Sequence, residues 1–262
     1  IRYTGTGASR SSGTGQVIAL GIIAEQFLGL QQLYADGSVS VLCGMVDDQD
    51  HVTRCNVLLA LLKIAHTAAG VDAILAVEGS YENVVEKCRW DEVEVKNLAL
   101  ELLYAVLKVQ PAGITPMRLT TAIRVMRCLL EDETATIRQW SCNNLTVLTI
   151  SNEGKRIAIS EHVVGLLNTL LSDEETTVRA AAMGALMNIS VTTEGKQLLF
   201  EQGGLEPMLA MLNHSINEVS LLNVVKTIAN MAENPSCRVQ LQGCVDRLRH
   251  IEQVRGLTVT AG

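Results

Sequence analysis

The sequence predicts an all-α solenoid, a stack of three-helix units around one shared core, and three observations carry that prediction. The first is an internal repeat. Glu153-Gly154-Lys155 returns as Glu194-Gly195-Lys196 and Ile137-Arg138 returns as Val178-Arg179, each 41 residues later. The second is composition: 48 % of the 262 residues are apolar, 19 % charged and only 3 % aromatic, so Leu, Ile, Val, Ala and Met must build the interior. The third is that only four prolines occur, which leaves long stretches free to be helical. A unit of this length cannot bury its apolar faces alone, so neighbouring units must cover one another.

The elements follow in chain order. Residues 1–16 are dominated by Gly, Ser and Thr and are expected to form a flexible tail. The repeat domain then runs over 17–254, with about five repeats of 41–43 residues and partial units at both ends. Val17–Gln26 reads as the third helix of an incomplete first unit. The apolar-basic step marks the start of later third helices, at Thr53-Arg54, Val95-Lys96, Ile137-Arg138 and Val178-Arg179. The join at Val77–Glu82 is short, and Gln110–Pro116 interrupts helicity.

The later copies are the most regular. In the fourth, Gly154–His162 is a short first helix and Val163–Leu171 a second, with apolar residues at three- and four-residue spacing. Ser172-Asp173 caps the third, where Glu174 and Glu175 suit the positive end of the helix dipole. That helix runs to about Val191, and Ala180, Ala181, Ala182 and Ala185 permit close helix approach. The fifth copy reads Glu194–Gln202, Leu205–Leu212 and Asn217–Glu233, with Gly203-Gly204 at a turn that needs positive φ. Arg238–Val254 gives two further helices, and 255–262 is a tail. A chain that starts at Ile1 rather than Met reads as a piece of a longer one.

A short first helix, a longer third helix and glycine between the first and second together resemble the armadillo-repeat family over Val17–Val254. The resemblance implies an armadillo-type right-handed superhelical solenoid of three-helix repeats. Val178–Gln197, with ALMNISVTTEGK at its centre, and Leu221–Pro235, LLNVVKTIANMAENP, are similar to stretches of the armadillo-repeat proteins of the ciliary radial spoke. Ile137–Lys155 fits the preceding unit of that family. This resemblance implies a non-catalytic scaffold of the cytoplasm and cytoskeleton, placed in the axoneme of a motile cilium or flagellum and binding other spoke subunits.

Several function classes are disfavoured. A net charge of −7 argues against nucleic acid and anionic membrane, whose binding rests on clustered Lys and Arg. No apolar run reaches the length of a membrane span, and no signal peptide is read. The seven cysteines form no CxxC pair and read as reduced, buried thiols of an intracellular protein. The five histidines are scattered, and no HExxH or GxSxG occurs, so no enzyme, metal site or cofactor is expected. Cys142 beside Asn143 and Asn144 has no evident His partner and reads as a buried thiol.

Two rows of polar residues are the candidate protein-binding groove. Arg54, Lys96, Arg138 and Arg179 recur at intervals of 42, 42 and 41 residues near the start of each third helix. They can line one face for a partner. They can also pair within their helices, since Asp50, Glu92 and Glu175 stand four residues before three of them. Asn144, Asn188 and Asn230 form the second row. Import adaptors of the importin-α type clamp peptide backbone with third-helix Asn and a Trp one turn earlier, and Trp140 so precedes Asn144 alone. The row is out of register, because a shift of 41 sets Val147 opposite Asn188. Catenin-type proteins read acidic tails through a basic groove that this acidic chain lacks. A soluble adaptor for an extended peptide is therefore the alternative reading, and polar helix-end positions are the bland one for the Asn residues.

Overall fold

The structure, a computed structural model, describes residues 15–18, 20–21, 37–110, 114–213, 218–245 and 249, and every described element is helical. Residues 15–18 and 20–21 are helical, so the last two residues of the expected 1–16 tail belong to the helix that was expected to start at Val17. The rest of the expected 1–16 tail, the remainder of Val17–Gln26, most of the second terminal helix and the 255–262 tail lie outside the described residues. The chain divides into two compact units, Ile1–Leu129 and Leu130–Gly262.

The first unit holds α1 (Ser38–Gly44), α2 (His51–Ile64), α3 (Ala68–Leu75), α4 (Ser80–Arg89), α5 (Val93–Val109) and α6 (Pro116–Leu129). The two third helices, α2 and α5, pack on each other, and α4 packs on both α5 and α6. Leu58, Leu61 and Ile64 of α2 and Leu100, Leu103 and Leu107 of α5 are fully buried. Burying each such side chain contributes about 2 kcal/mol. Asp50 caps α2 by accepting from the Thr53 N–H at 2.9 Å, while Pro116 opens α6, where its missing N–H costs nothing. The described residues show no separate short helix between α5 and α6. The break read at Gln110–Pro116 therefore leaves this copy with two helices in view, not three.

The second unit holds α7 (Ala135–Leu148), α8 (Asn152–Ser160), α9 (Val163–Leu170), α10 (Thr176–Ile189), α11 (Thr193–Glu201), α12 (Leu205–Asn213), α13 (Glu218–Ala232) and α14 (Pro235–Gly243). Here α8–α9–α10 and α11–α12–α13 are two complete three-helix repeats, and α10 packs against α7 on one side and α13 on the other. Ala181, Ala182, Gly184 and Ala185 are buried. Ala180 is only half-buried, and at Gly184 a Cβ would stand 3.0 Å from Thr146 Oγ1 of α7, so it is this glycine that permits the close approach.

The recurring Glu-Gly-Lys has a structural cause. Thr67, Ser151 and Thr192 each cap a first helix, and each side-chain oxygen accepts the N–H of the glycine three residues on, at 3.0 Å. That glycine lies against the last turn of the preceding third helix. A Cβ on Gly70, Gly154 or Gly195 would meet the carbonyl oxygen of Ile64, Leu148 or Ile189 at 2.0, 1.8 and 2.3 Å. The corner between repeats is too tight for any side chain there. Between first and second helices the predicted positive φ is found at Gly203, at 73°, and the matching position one repeat earlier is filled by His162, at 58°.

Candidate functional site

Each member of the basic row is the fourth residue of its third helix, in α2, α5, α7 and α10. Position four points a long side chain back over the turn that enters the helix, whose carbonyls have no intrahelical partner. Arg54 Nη1 donates to the carbonyls of Asp48 and Gln49 at 2.9 and 3.1 Å. Arg138 Nη1 does the same to Asp132 and Glu133 at 2.9 and 3.0 Å, and Arg179 Nη1 to Asp173 and Glu174 at 2.6 and 3.0 Å. Arg238, fourth in α14, repeats the device through Nε to the Ala232 carbonyl at 3.0 Å.

Two of the arginines also reach forward into the next repeat. Arg54 Nη2 donates to Asp91 Oδ1 at 2.7 Å, and Arg138 grips Asp173 with Nε and Nη2 at 2.8 and 3.0 Å. Each aspartate also accepts an N–H of the turn entering the next third helix, Asp91 from Glu92 at 2.8 Å and Asp173 from Glu175 at 2.9 Å, but the N-cap of α10 is Glu175 and not the expected Ser172-Asp173. Where pairing four residues back was expected for Arg54 and Arg179, other bonds are made. Asp50 is occupied in capping α2, and Arg179 Nη2 turns to Thr176 Oγ1 at 2.9 Å. A guanidinium with five donors satisfies two carbonyls and a carboxylate at once, which a pairing along the helix surface would forgo.

These bonds have an electrostatic signature. Desolvation is the largest influence on Asp173 and pushes its pKa up, but the Arg138 and Glu175 hydrogen bonds together with the Arg138 and Arg179 charges outweigh it, holding the carboxyl below its ordinary value. Asp91 behaves alike: burial is again outweighed, by Arg54, the Glu92 N–H and Lys87. Lys87 Nζ extends this network to Asp47 at 2.7 Å.

The asparagines also serve the stack. Asn188 Nδ2 donates to the Thr146 carbonyl at 2.7 Å, and Asn230 Nδ2 to Ser190 Oγ at 3.0 Å, each from one third helix to the end of the one before. Thr146 lies in the last turn of α7, where carbonyls lack helical donors. Asn144 is buried, and its Nδ2 donates to the Trp140 carbonyl at 2.9 Å. Lys96 is half-buried near the start of α5. The groove candidates thus stand on corresponding third helices within each unit, with the donors of Arg54, Arg138, Arg179, Asn188 and Asn230 directed into the fold.

Two features were missed by sequence reasoning. On α13 the exposed Val219, Leu222 and Val225 follow at three-residue steps, with Val219 69 % and Leu222 51 % exposed. That spacing was legible in the sequence, but not which face of the helix would be left open. The other is a cluster in the first unit: His51 and Cys55 on α2 and Glu94 on α5 hold one nitrogen, one sulfur and one oxygen ligand atom, all within 4.8 Å of one another. The His-Cys spacing of four residues was a signal; Glu94 arrives only through the packing of α5 on α2.

The thiols divide by environment. Cys43, Cys88, Cys142 and Cys237 are buried as expected, but Cys55 and Cys244 are half-buried and Cys128 is exposed. Burial raises the Cys43 pKa to about 12 and pushes the Cys142 thiol up as well, which keeps both protonated and poor nucleophiles. Among the described residues no helix is long and apolar enough to cross a membrane.

No protein-family model matches the chain, and no curated protein does. Solved structures do. An engineered protein superposes with a TM-score of 0.73 at 19 % identity over 87 % of this chain and 93 % of its own. A designed armadillo repeat protein gives 0.72 at 19 % identity over 86 % of this chain and 96 % of its own. Another, solved in complex with the peptide (KR)4, gives 0.71 at 19 % identity over 86 % and 95 %. The chain therefore has the armadillo-type all-α repeat fold.

Proposed function

We propose that this protein is a non-catalytic scaffold that binds other proteins through its helical repeats. The observation that carries this reading is the exposed apolar row Val219, Leu222 and Val225 on a third helix, α13. Exposed apolar side chains at three-residue steps on one helix form a row that another polypeptide can cover. The fold supports the same reading, since one of the designed neighbours was solved with a bound peptide.

The finer reading is a subunit of the radial spoke in the axoneme of a motile cilium or flagellum, holding other spoke subunits. Its support is the likeness of Val178–Gln197 and Leu221–Pro235 to the spoke armadillo proteins, and Leu221–Pro235 includes Leu222 and Val225. Co-purification with axonemes after detergent and salt extraction tests it. Retention on the axoneme is the expected result; a wholly cytosolic pool overturns the spoke assignment and leaves the scaffold reading standing. The peptide-adaptor alternative predicts tight binding of a lysine-rich peptide, lost on Asn188→Ala. The bond from Asn188 to Thr146 weighs against it, because the donor that would hold a peptide already holds α7.

A further inference from the structure

We propose that His51, Cys55 and Glu94 form a binding site for a divalent transition metal of the zinc type, at the junction of α2 and α5. The donor set is one imidazole nitrogen, one sulfur and one carboxylate oxygen. Zinc-type ions take that mixture, whereas calcium and magnesium take oxygen alone. Glu92 adds a second carboxylate, its Oε2 standing 3.9 Å from His51 Nε2. Water or Glu92 completes four-coordination.

The geometry is close to what such an ion requires. His51 and Cys55 lie one turn apart on α2, so both face the same way. His51 Nε2 and Glu94 Oε2 are 3.5 Å apart, against a tetrahedral edge of about 3.3 Å for ligands near 2.0 Å from zinc. The widest separation in the trio is within 4.8 Å, so rotation of side chains by about 1 Å closes the site around an ion. The side chains have that freedom: His51 is 38 % and Glu94 77 % exposed. The backbone beneath them is fixed, because Arg54, between the two α2 ligands, is bonded to Asp91 at the entry of α5.

The repeat does not demand this cluster. Positions equivalent to His51 and Cys55 are Val93 and Asn97 in the next copy, Ala135 and Gln139 in the third, and Thr176 and Ala180 in the fourth. None offers an imidazole or thiol. Binding exchanges the thiol proton, released to solvent, for the metal.

The test is titration of the full chain, stripped of metal by chelator, with Co2+ as a spectroscopic stand-in for Zn2+. One equivalent is expected to bring in a thiolate-to-cobalt charge-transfer absorption that Zn2+ then displaces. Cys55→Ala should abolish that absorption. Glu94→Gln, at an exposed position that leaves the fold intact, should weaken binding at least about tenfold, as even indirect partners of a ligand do. Cys128→Ala, which removes the exposed thiol outside the cluster, should change nothing. No charge-transfer absorption in the parent chain overturns the proposal, as does a signal that survives Cys55→Ala, disappears with Cys128→Ala or ignores Glu94→Gln.

Discussion

Arg138 and Asp173 meet across 35 residues of sequence through two hydrogen bonds, of 2.8 and 3.0 Å, that tie α7 to the turn entering α10. Asp173 is nearly buried, at 6 % exposure, and Arg138 is mostly so. Removing one partner strands the other in a poorly solvated place, so Asp173→Asn and Arg138→Ala are each expected to cost about 1–3 kcal/mol. Arg138→Lys should restore little, since an ammonium cannot grip the carboxylate at two points and serve the Asp132 and Glu133 carbonyls together. Urea unfolding at pH 7 measures all three.

The same pair sets a pH dependence. Asp173 is held below its ordinary pKa, so the folded chain binds this proton less readily than the unfolded chain. The stabilisation is thus complete above the unfolded value, about 4, and fades as pH falls through the lower folded value. The expected outcome is that the gap between the parent chain and Asp173→Asn, full at pH 7, narrows progressively below pH 4. A gap that widened on acidification would contradict the bond. Asp91 follows the same sign through Arg54 and Lys87.

The repeat corners give a contrasting pair. Gly154→Ala and Gly195→Ala place a Cβ within 2.3 Å of a carbonyl oxygen, and relief requires the first helix to move away from the third. Each should cost upwards of about 2 kcal/mol, the range of overpacking and backbone conflict. His162→Gly is expected to do the opposite. Its φ of 58° strains an L residue by about 1 kcal/mol, so relief offsets or exceeds the entropy glycine adds to the unfolded chain. In thermal melts Gly154→Ala and Gly195→Ala should fall below the parent chain and His162→Gly at or above it.

These corners show where the sequence was legible and where it was not. The 41-residue shift, the helix bounds of α8 to α13 within a few residues and the positive φ at Gly203 all follow from local signals. Those are caps, apolar spacing and glycine, and they act within one unit. What a local reading misses is any partner from a neighbouring unit. Arg54 was matched with Asp50 because they are four residues apart, yet its bond runs to Asp91. Asn188 reads from its own window as a groove candidate or a polar helix-end position, yet it donates to Thr146. The reason is common to both: side chains at a repeat interface see the next copy, some 35 to 42 residues off, and nothing in their own window reports which one.

Asn188→Ala separates structure from recognition. If the amide serves the stack, its loss leaves the Thr146 carbonyl without that donor and costs about 1 kcal/mol or somewhat more. Binding of a lysine-rich peptide, measured by fluorescence anisotropy, should then be as weak for the variant as for the parent. A large loss of affinity with unchanged stability would restore Asn188 to the groove.

Leu222→Glu tests the scaffold surface itself. Leu222 is 51 % exposed on α13, so a carboxylate there stays hydrated and the folded chain should lose no more than about 0.5 kcal/mol. In a protein interface the same change buries a charge without a partner, which costs several kcal/mol and at least a tenfold loss of affinity. Val219→Glu, three residues earlier on the same exposed row, should act alike. Because both sites are open in the isolated chain, unfolding midpoints should stay near the parent value while association with axonemes that lack the protein, measured by co-sedimentation, falls. Equal loss of stability and association would mean that the row is part of the core. Unchanged association by both variants would move the binding surface away from α13, and with it the observation on which the scaffold reading rests.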